Sequence, residues 1–293
     1  MVHMKRTGWL VVNGFLTAEK YQNLYTMLKN AAKKRGVSLV CKRADELVCA
    51  VGEERAAFAP LPDFCVFWDK DVSLAQRLED LGIPVFNGAE AVAVCDNKIR
   101  TAQKLTMHNV KTPKTIPAPM TFENVGYGDC AFLRAAEKEL GYPMIIKEAY
   151  GSFGAQVYLA EKRDGALAVI QKIGHKPFLM QEFIAESRGQ DIRVNVVGDK
   201  VVCAMRRFND NDFRSNVSAG GHTQSIRLTA EQEQIALAAC RAIGLDFAGV
   251  DVLFGKDGPL VCEVNSSPHF KSSFDCTGVD LSEYVLAYIL ERV

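Results

Sequence analysis

Over the first ninety or so residues, apolar positions fall in short runs separated by helical or turn-like stretches. Gly8 to Leu16 reads as a buried strand ending at Asn13-Gly14, and Thr17 is placed to cap a helix that runs to about Arg35. Val37 to Cys41, Phe64 to Trp68 and Ile83 to Phe86 are further strand-length runs, and Ser73 to Leu81 has helical spacing. Strands that alternate with helices predict a parallel α/β domain over residues 1–92.

The pattern then changes. Asp96 to about His108 reads as a helix, after which Pro113, Pro117 and Pro119 enforce an extended crossing over Val110 to Thr121. A helix at Ala131 to Leu140, strands at Pro143 to Lys147 and Val157 to Leu159, a helix ending near Gly174 and a strand at Phe178 to Glu182 form an α+β unit over residues 93–182. Residues 183–293 are strand-rich, with Ile192 to Val197, Lys200 to Arg207, Phe247 to Phe254 and Leu260 to Val264 as strands. Helices are expected there from Thr229 to Ile243 and from Leu281 to about Leu290.

Composition narrows the partners. Lysine plus arginine and aspartate plus glutamate both number 35, so no excess of positive charge is available to grip a nucleic acid or an anionic membrane. The run Trp9 to Val12 is too short for the core of a signal peptide, and no stretch nears the roughly twenty apolar residues of a membrane span. The nine cysteines, from Cys41 to Cys276, include no pair at the spacing of zinc or thioredoxin-like sites, and they read as small apolar residues in a reducing cytoplasm. A dinucleotide fingerprint is missing after the first strand, and Gly255-Lys256 is followed by Asp257 rather than by the serine or threonine of a Walker loop. A small-molecule or protein substrate fits this chain best.

The sharpest chemical signal flanks Gly255-Lys256-Asp257-Gly258. Apolar runs on both sides read as a hairpin, and a three-residue connection puts Asp251 opposite Glu263, with Asn265 on the same face as Glu263. Two carboxylates and an amide oxygen suit Mg²⁺ bridged to phosphates; a salt-bridged pair at a sheet edge is the alternative. Lys147 ends a strand just before Tyr150-Gly151-Ser152-Phe153-Gly154, whose glycines allow close backbone approach to phosphate oxygens. Lys98, at a helix start with free amide donors, can add charge to the same polyphosphate. Gln181-Glu182-Phe183-Ile184 lies where a strand enters a linker, a place to read an adenine edge. Asp191 and Arg193 share a strand face and serve either a ribose hydroxyl and a phosphate or each other. The polar stretch Arg206 to His222, with Asp212-Phe213-Arg214-Ser215-Asn216 at its centre, reads as a loop that closes over transferred phosphate with Arg214 as a fork donor, an ordinary surface loop being the alternative. His269 and Lys271 follow the metal strand and are placed to choose the organic substrate.

The order Lys98, Lys147, the glycine loop, QEFI, DIR, DFRSN, GG, AGVDVL and EVNSSP resembles the ATP-grasp ligases of the RimK type over about residues 90–293. That resemblance implies an ATP-grasp fold with an N-terminal Rossmann-like, pre-ATP-grasp α/β domain. It implies that Lys98 and Lys147 contact phosphates, that Glu182, Phe183 and Asp191 hold adenosine, and that Arg214, Ser215 and Asn216 close the site. It further implies two Mg²⁺ ions, with Mn²⁺ as a substitute, on Asp251, Glu263 and Asn265. Lys147 and Arg214 are the expected catalytic groups. The expected reaction is ATP-dependent joining of a carboxylate to an amine through an acyl phosphate, adding an amino acid such as glutamate to a small molecule or protein terminus. A kinase-like phosphotransferase and a non-catalytic nucleotide-binding protein are the alternatives, and a homo-oligomer is compatible with the sequence. His269-Phe270-Lys271 departs from the glutamate ligases of this family, and Phe270-Lys271 is similar instead to its lysine-biosynthesis ligases.

Overall fold

The computed structural model describes residues 6–152, 154–215 and 220–293. The chain opens with β1 (Thr7–Val12), α1 (Glu19–Lys34), β2 (Ser38–Arg43), the single turn α2 (Glu54–Ala57), β3 (Phe64–Trp68), α3 (Val72–Asp80) and β4 (Val85–Phe86). The four strands form one parallel sheet in the order β2-β1-β3-β4. All five residues of β3 are buried, as expected of a parallel strand covered on both faces. Asp71 caps α3 by accepting the Leu74 N–H at 2.9 Å.

Thr17 does not cap α1, contrary to expectation. The strand stops at Val12 because Asn13 Oδ1 accepts the Phe15 N–H at 3.0 Å and turns the chain outward, so that the helix begins two residues after Thr17 with no side-chain cap. The helix expected from Asp96 begins at Lys98, as α5 (Lys98–Met107) capped by Asn97, and a further helix that was not expected, α4 (Ala89–Asp96), precedes it.

Next come β5 (Thr115–Pro117), α6 (Ala131–Leu140), β6 (Met144–Glu148), β7 (Val157–Ala160), α7 (Arg163–Ile173) and β8 (Phe178–Glu182). They make an antiparallel sheet in the order β5-β8-β6-β7, with Leu133, Ile146, Phe178 and Met180 in its core. A third, antiparallel sheet, ordered β11-β10-β9-β12-β13, is built from β9 (Gln190–Val197), β10 (Lys200–Phe208), β11 (His222–Ser225), β12 (Phe247–Gly255) and β13 (Gly258–Asn265). Helix α8 (Ala230–Ile243), capped by Thr229, covers the face carrying Ile192, Val194, Val252 and Val264. The opposite face carries the polar residues of the site.

The chain ends with α9 (Lys271–Thr277) and α10 (Leu281–Leu290). Helix α10 shares a core with α1 and the first sheet, where Trp68 stacks on Phe247 at 5.0 Å and meets Phe270 edge-on at 5.7 Å. Asn87, fully buried, ties the first and third sheets together. Its amide nitrogen donates to the Phe247 and Ser266 carbonyls at 2.9 and 2.8 Å, and its oxygen accepts from the Asp246 and Phe247 N–H groups at 2.7 and 3.3 Å.

Candidate active site

A cleft lies between the second and third sheets. From the second sheet it takes Lys147, the glycine loop at Gly151, Ser152 and Gly154, and the segment Gln181 to Ile184. From the third it takes Asp191, Arg207, Asp251 and Glu263, and Lys98, Arg214 and Ser215 complete the lining. Residues spread over more than 160 positions of sequence are thus brought together. Asn216 lies outside the described residues.

Lys147 is buried at 7 % exposure, and no carboxylate among the described residues is ion-paired with it; its ammonium approaches Cys262 Sγ at 3.4 Å. A buried charge without a counter-charge is costly, so this position calls for an anion. Lys98 donates to the Gly151 carbonyl at 2.9 Å and stands 3.4 Å from Glu263 Oε1, bridging glycine loop and hairpin. The free amide donors expected at this helix start are taken: Asn97 Oδ1 accepts the Ile99 and Arg100 N–H groups at 3.0 and 3.1 Å. What Lys98 offers the cleft is its ammonium.

Arg214 donates to the Gly154 carbonyl at 2.8 Å and pairs with Asp212 at 2.7 Å, which holds its guanidinium in the charged form. The loop that carries it is pinned at Gly189, whose N–H donates to the Phe213 carbonyl at 2.9 Å. At φ +68° a Cβ there would lie 2.4 Å from the Asn209 carbonyl oxygen, so glycine is required. Glu182 Oε1 accepts the Lys114 N–H at 2.6 Å, and Gln181 Nε2 donates to Thr115 Oγ1 at 2.8 Å. Each side chain thus has one polar atom engaged by the neighbouring segment, and both residues line the cleft beside Phe183 and Ile184.

Asp191 and Arg193 do not pair with each other. Asp191 lies opposite Arg207, which grips it with both forks, and Arg193 lies opposite Asp251, bound at 2.5 and 3.0 Å. Arg207 also reaches Asp251 at 3.0 Å. Acids and bases therefore alternate across β10, β9 and β12. Burial acts to raise the Asp251 pKa, but Arg193 and Arg207 outweigh it and hold the carboxyl below the ordinary carboxylate range.

The hairpin places Asp251 opposite Glu263 as expected, but by another route. The turn has two residues, Lys256-Asp257, between paired Gly255 and Gly258, and a bulge at Cys262 supplies the missing step. Glu263 is the more open carboxylate. Asn265 Nδ2 donates to the Gly249 carbonyl at 3.3 Å, and its amide oxygen is the atom suited to a cation. Asp251 has given three of its roughly four acceptor positions to guanidinium N–H groups. Among the described residues no three His, Cys, Asp or Glu side chains gather as a metal site. Two carboxylates and an amide nonetheless form an oxygen set that suits Mg²⁺ when phosphates complete the shell.

A second cavity of about 650 Å³ adjoins the cleft and lies against the first sheet. Ser152, Arg207, Asp251 and Glu263 line both spaces. Arg193, Asn265 and His269 line the second cavity alone. Burial pulls the His269 pKa down, and the ring sits edge-on to Tyr21 with Nε2 at 3.3 Å from the Lys20 carbonyl. Lys271 lines neither space: its ammonium pairs with Asp275 one helical turn away, and Phe270 beside it is fully buried against Trp68. The structure thus separates the two residues expected to choose the substrate. Sequence reasoning missed Arg207, Cys262 and Asp69, the last of which lines the second cavity.

Comparison with known proteins identifies the family. Residues 95–289 match the model of the RimK-like ATP-grasp domain. A probable alpha-L-glutamate ligase of Shewanella frigidimarina is 35 % identical over 299 aligned residues, covering 93 % of each chain. Among solved structures, a RimK domain ATP-grasp protein of Sphaerobacter thermophilus superposes with a TM-score of 0.72 at 21 % identity, over 97 % of this chain and 98 % of the other. The ATP-grasp ligase PsnB, solved with a precursor variant, Mg and ADP, gives 0.69 at 19 % identity, over 98 % of each chain. The likeness to the solved structures carries the ATP-grasp fold, the family match carries the chemistry, and the chain belongs to the RimK-like ATP-grasp family, as an ATP-dependent carboxylate–amine ligase.

Proposed function

We propose that the enzyme adds glutamate to a carboxylate borne by a small molecule or a protein terminus. The observation that carries this reading is the sharing of Ser152, Arg207, Asp251 and Glu263 between the nucleotide cleft and the larger cavity. A γ-phosphate presented at that wall meets a carboxylate arriving from the other side. The choice of glutamate as the added amino acid comes from the relative in Shewanella frigidimarina, whose name specifies glutamate.

In this reading Lys98 and Lys147 hold the phosphates, the Gln181 to Ile184 backbone and Asp191 hold the adenosine, and Arg214 and Ser215 close over the transferred group. Asp251, Glu263 and Asn265 would hold two Mg²⁺ ions, replaceable by Mn²⁺, and the ions would supply positive charge against the γ-phosphate. Positive charge from Lys98, Lys147 and Arg214 stabilises the oxygens of the phosphoryl group in flight. The carboxylate becomes an acyl phosphate, and the amine nitrogen displaces phosphate to form the amide. Arg193 and Arg207 keep Asp251 ionised throughout. No helix among the described residues is long and apolar enough to cross a membrane, and the reading places the enzyme in the cytoplasm, with a homo-oligomer compatible.

The test is incubation with ATP, Mg²⁺, isotopically labelled L-glutamate and a pool of carboxylates, followed by mass analysis. The expected product carries the label, with the mass of the two substrates less one water, and forms in step with ADP. ADP release with the label remaining in free glutamate contradicts the proposal.

A further inference from the structure

The second cavity holds a polar group that the chemistry described so far does not use. Asp69, 5 % exposed, follows β3 directly, while Asn13 follows β1, its neighbour in the sheet. In a parallel sheet of order β2-β1-β3-β4, the chain reverses its direction of growth between β1 and β3. The crevice outside the carboxyl ends of those two strands is where such folds bind ligands. One oxygen of Asp69 is fully engaged: Oδ1 accepts from Asn13 Nδ2 at 3.1 Å and from the Lys70 N–H at 2.6 Å. The other oxygen, Oδ2, is buried and has no hydrogen-bond partner among the described residues.

A second unpartnered group lines the same cavity. Ser267 Oγ is buried without a partner among the described residues, and Ser267 lies two residues beyond the end of β13, on the cavity wall with Glu263 and Asn265. Glu263, Asn265 and Ser267 all line this cavity, and Glu263 also lines the cleft. A buried carboxylate oxygen left without a donor costs free energy, and a cationic donor repays both the missing hydrogen bond and the uncompensated charge. Asp69 Oδ2 and Ser267 Oγ supply one carboxylate oxygen and one hydroxyl, a pair of acceptors that suits a primary ammonium.

We infer that Asp69 Oδ2 and Ser267 Oγ form the subsite that receives the ammonium group of the incoming amino acid. The inference rests on the ligase reading above and assigns the amine to the wall of the first sheet, opposite the nucleotide. Asp69→Asn keeps the Oδ1 contacts and puts an N–H donor where the ammonium should bind, and Ser267→Ala removes a hydroxyl that has no other bond to lose.

The experiment supplies ATP, Mg²⁺, the carboxylate pool and an equimolar mixture of the twenty amino acids, then measures the KM of the amino acid that the wild type incorporates. Hydroxylamine, which traps the acyl phosphate as a hydroxamate, reports the first half-reaction separately. Asp69→Asn should raise that KM by about tenfold or more, and Ser267→Ala by severalfold, with the KM for ATP and the rate of hydroxamate formation close to wild type. Wild-type KM for the amino acid in both variants overturns the subsite alone. Loss of hydroxamate formation in step with amide formation overturns it as well, by making Asp69 a part of the activation step. ATP turnover with no amide from any amino acid in the wild type overturns the ligase reading and this subsite together. If Asp69→Asn does not fold, Ser267→Ala decides.

Discussion

Arg207 and Asp251 sit on strands that are not neighbours, yet the guanidinium reaches over β9 to stand 3.0 Å from the carboxylate. Arg207 thereby holds two buried acids at once, Asp191 opposite it and Asp251 one strand further on. Burial alone would lower its pKa, but the two carboxylates outweigh that and hold it charged. Arg207→Met should therefore destabilise the protein by about 3 kcal/mol or more, because it strands Asp191 without its partner. Arg207→Lys should restore part of the stability but not the forked geometry. Urea denaturation of both variants checks this; equal stability of Arg207→Met and wild type would show that the ladder carries no free energy.

Glu263→Gln removes the more open of the two carboxylates on the shared wall while keeping its shape. Turnover should fall by about a hundredfold and should need more Mg²⁺ to saturate. A Mg²⁺ titration of ADP release is the measurement, and a wild-type half-saturation point would place the ion elsewhere.

Lys147→Met replaces a buried ammonium whose close polar neighbour is the Cys262 thiol. Without nucleotide the variant should melt at or above the wild-type temperature, since an uncompensated buried charge has been removed. With nucleotide the order should reverse, because stabilisation by a ligand scales with its affinity. Calorimetric ATP affinity equal to wild type would remove Lys147 from the phosphate site.

Asn87→Ala deletes four hydrogen bonds between the first and third sheets and leaves buried backbone groups unpaired. The cost should reach about 4 kcal/mol or more in total, given roughly 1–3 kcal/mol for each of the four groups left unsatisfied. A change below 1 kcal/mol in the unfolding midpoint, converted with the measured slope, would mean that the two sheets are held by the Trp68 aromatic contacts instead.

Lys271→Glu should leave every KM within about twofold of wild type, because its ammonium is engaged by Asp275 outside both spaces and exposed pairs of this kind contribute little. His269→Ala should raise the KM of an organic substrate while sparing that of ATP. The opposite assignment of effects would return Lys271 to the substrate site.

Much of this architecture is legible in the chain because burial writes periodicity. Phe64 to Trp68, Ala131 to Leu140, Phe178 to Glu182 and Leu281 to Leu290 have in the structure the bounds that their patterns predict. Helix α9 escaped because Lys271 to Thr277 is rich in serine, threonine and aspartate, with one phenylalanine to anchor it, and β11 because His222 to Ser225 has no apolar alternation. The pairing of Asp191 with Arg207 is hidden by a bulge near Val202. Carried on from Val197 and Lys200, the unshifted register would set Asp191 opposite Arg206. Asp69 and Asn87 each stand alone at a strand end, where aspartate and asparagine ordinarily signal a turn, and only the fold shows what surrounds them.

The central claim is that the carboxylate is activated by phosphorylation before the amine arrives. Supplying the carboxylate substrate with ¹⁸O in both carboxyl oxygens and measuring the phosphate released during turnover tests it most directly. An acyl phosphate on the path transfers one labelled oxygen to phosphate for each amide formed, and that is the result expected here. Unlabelled phosphate accompanying amide formation would contradict the account.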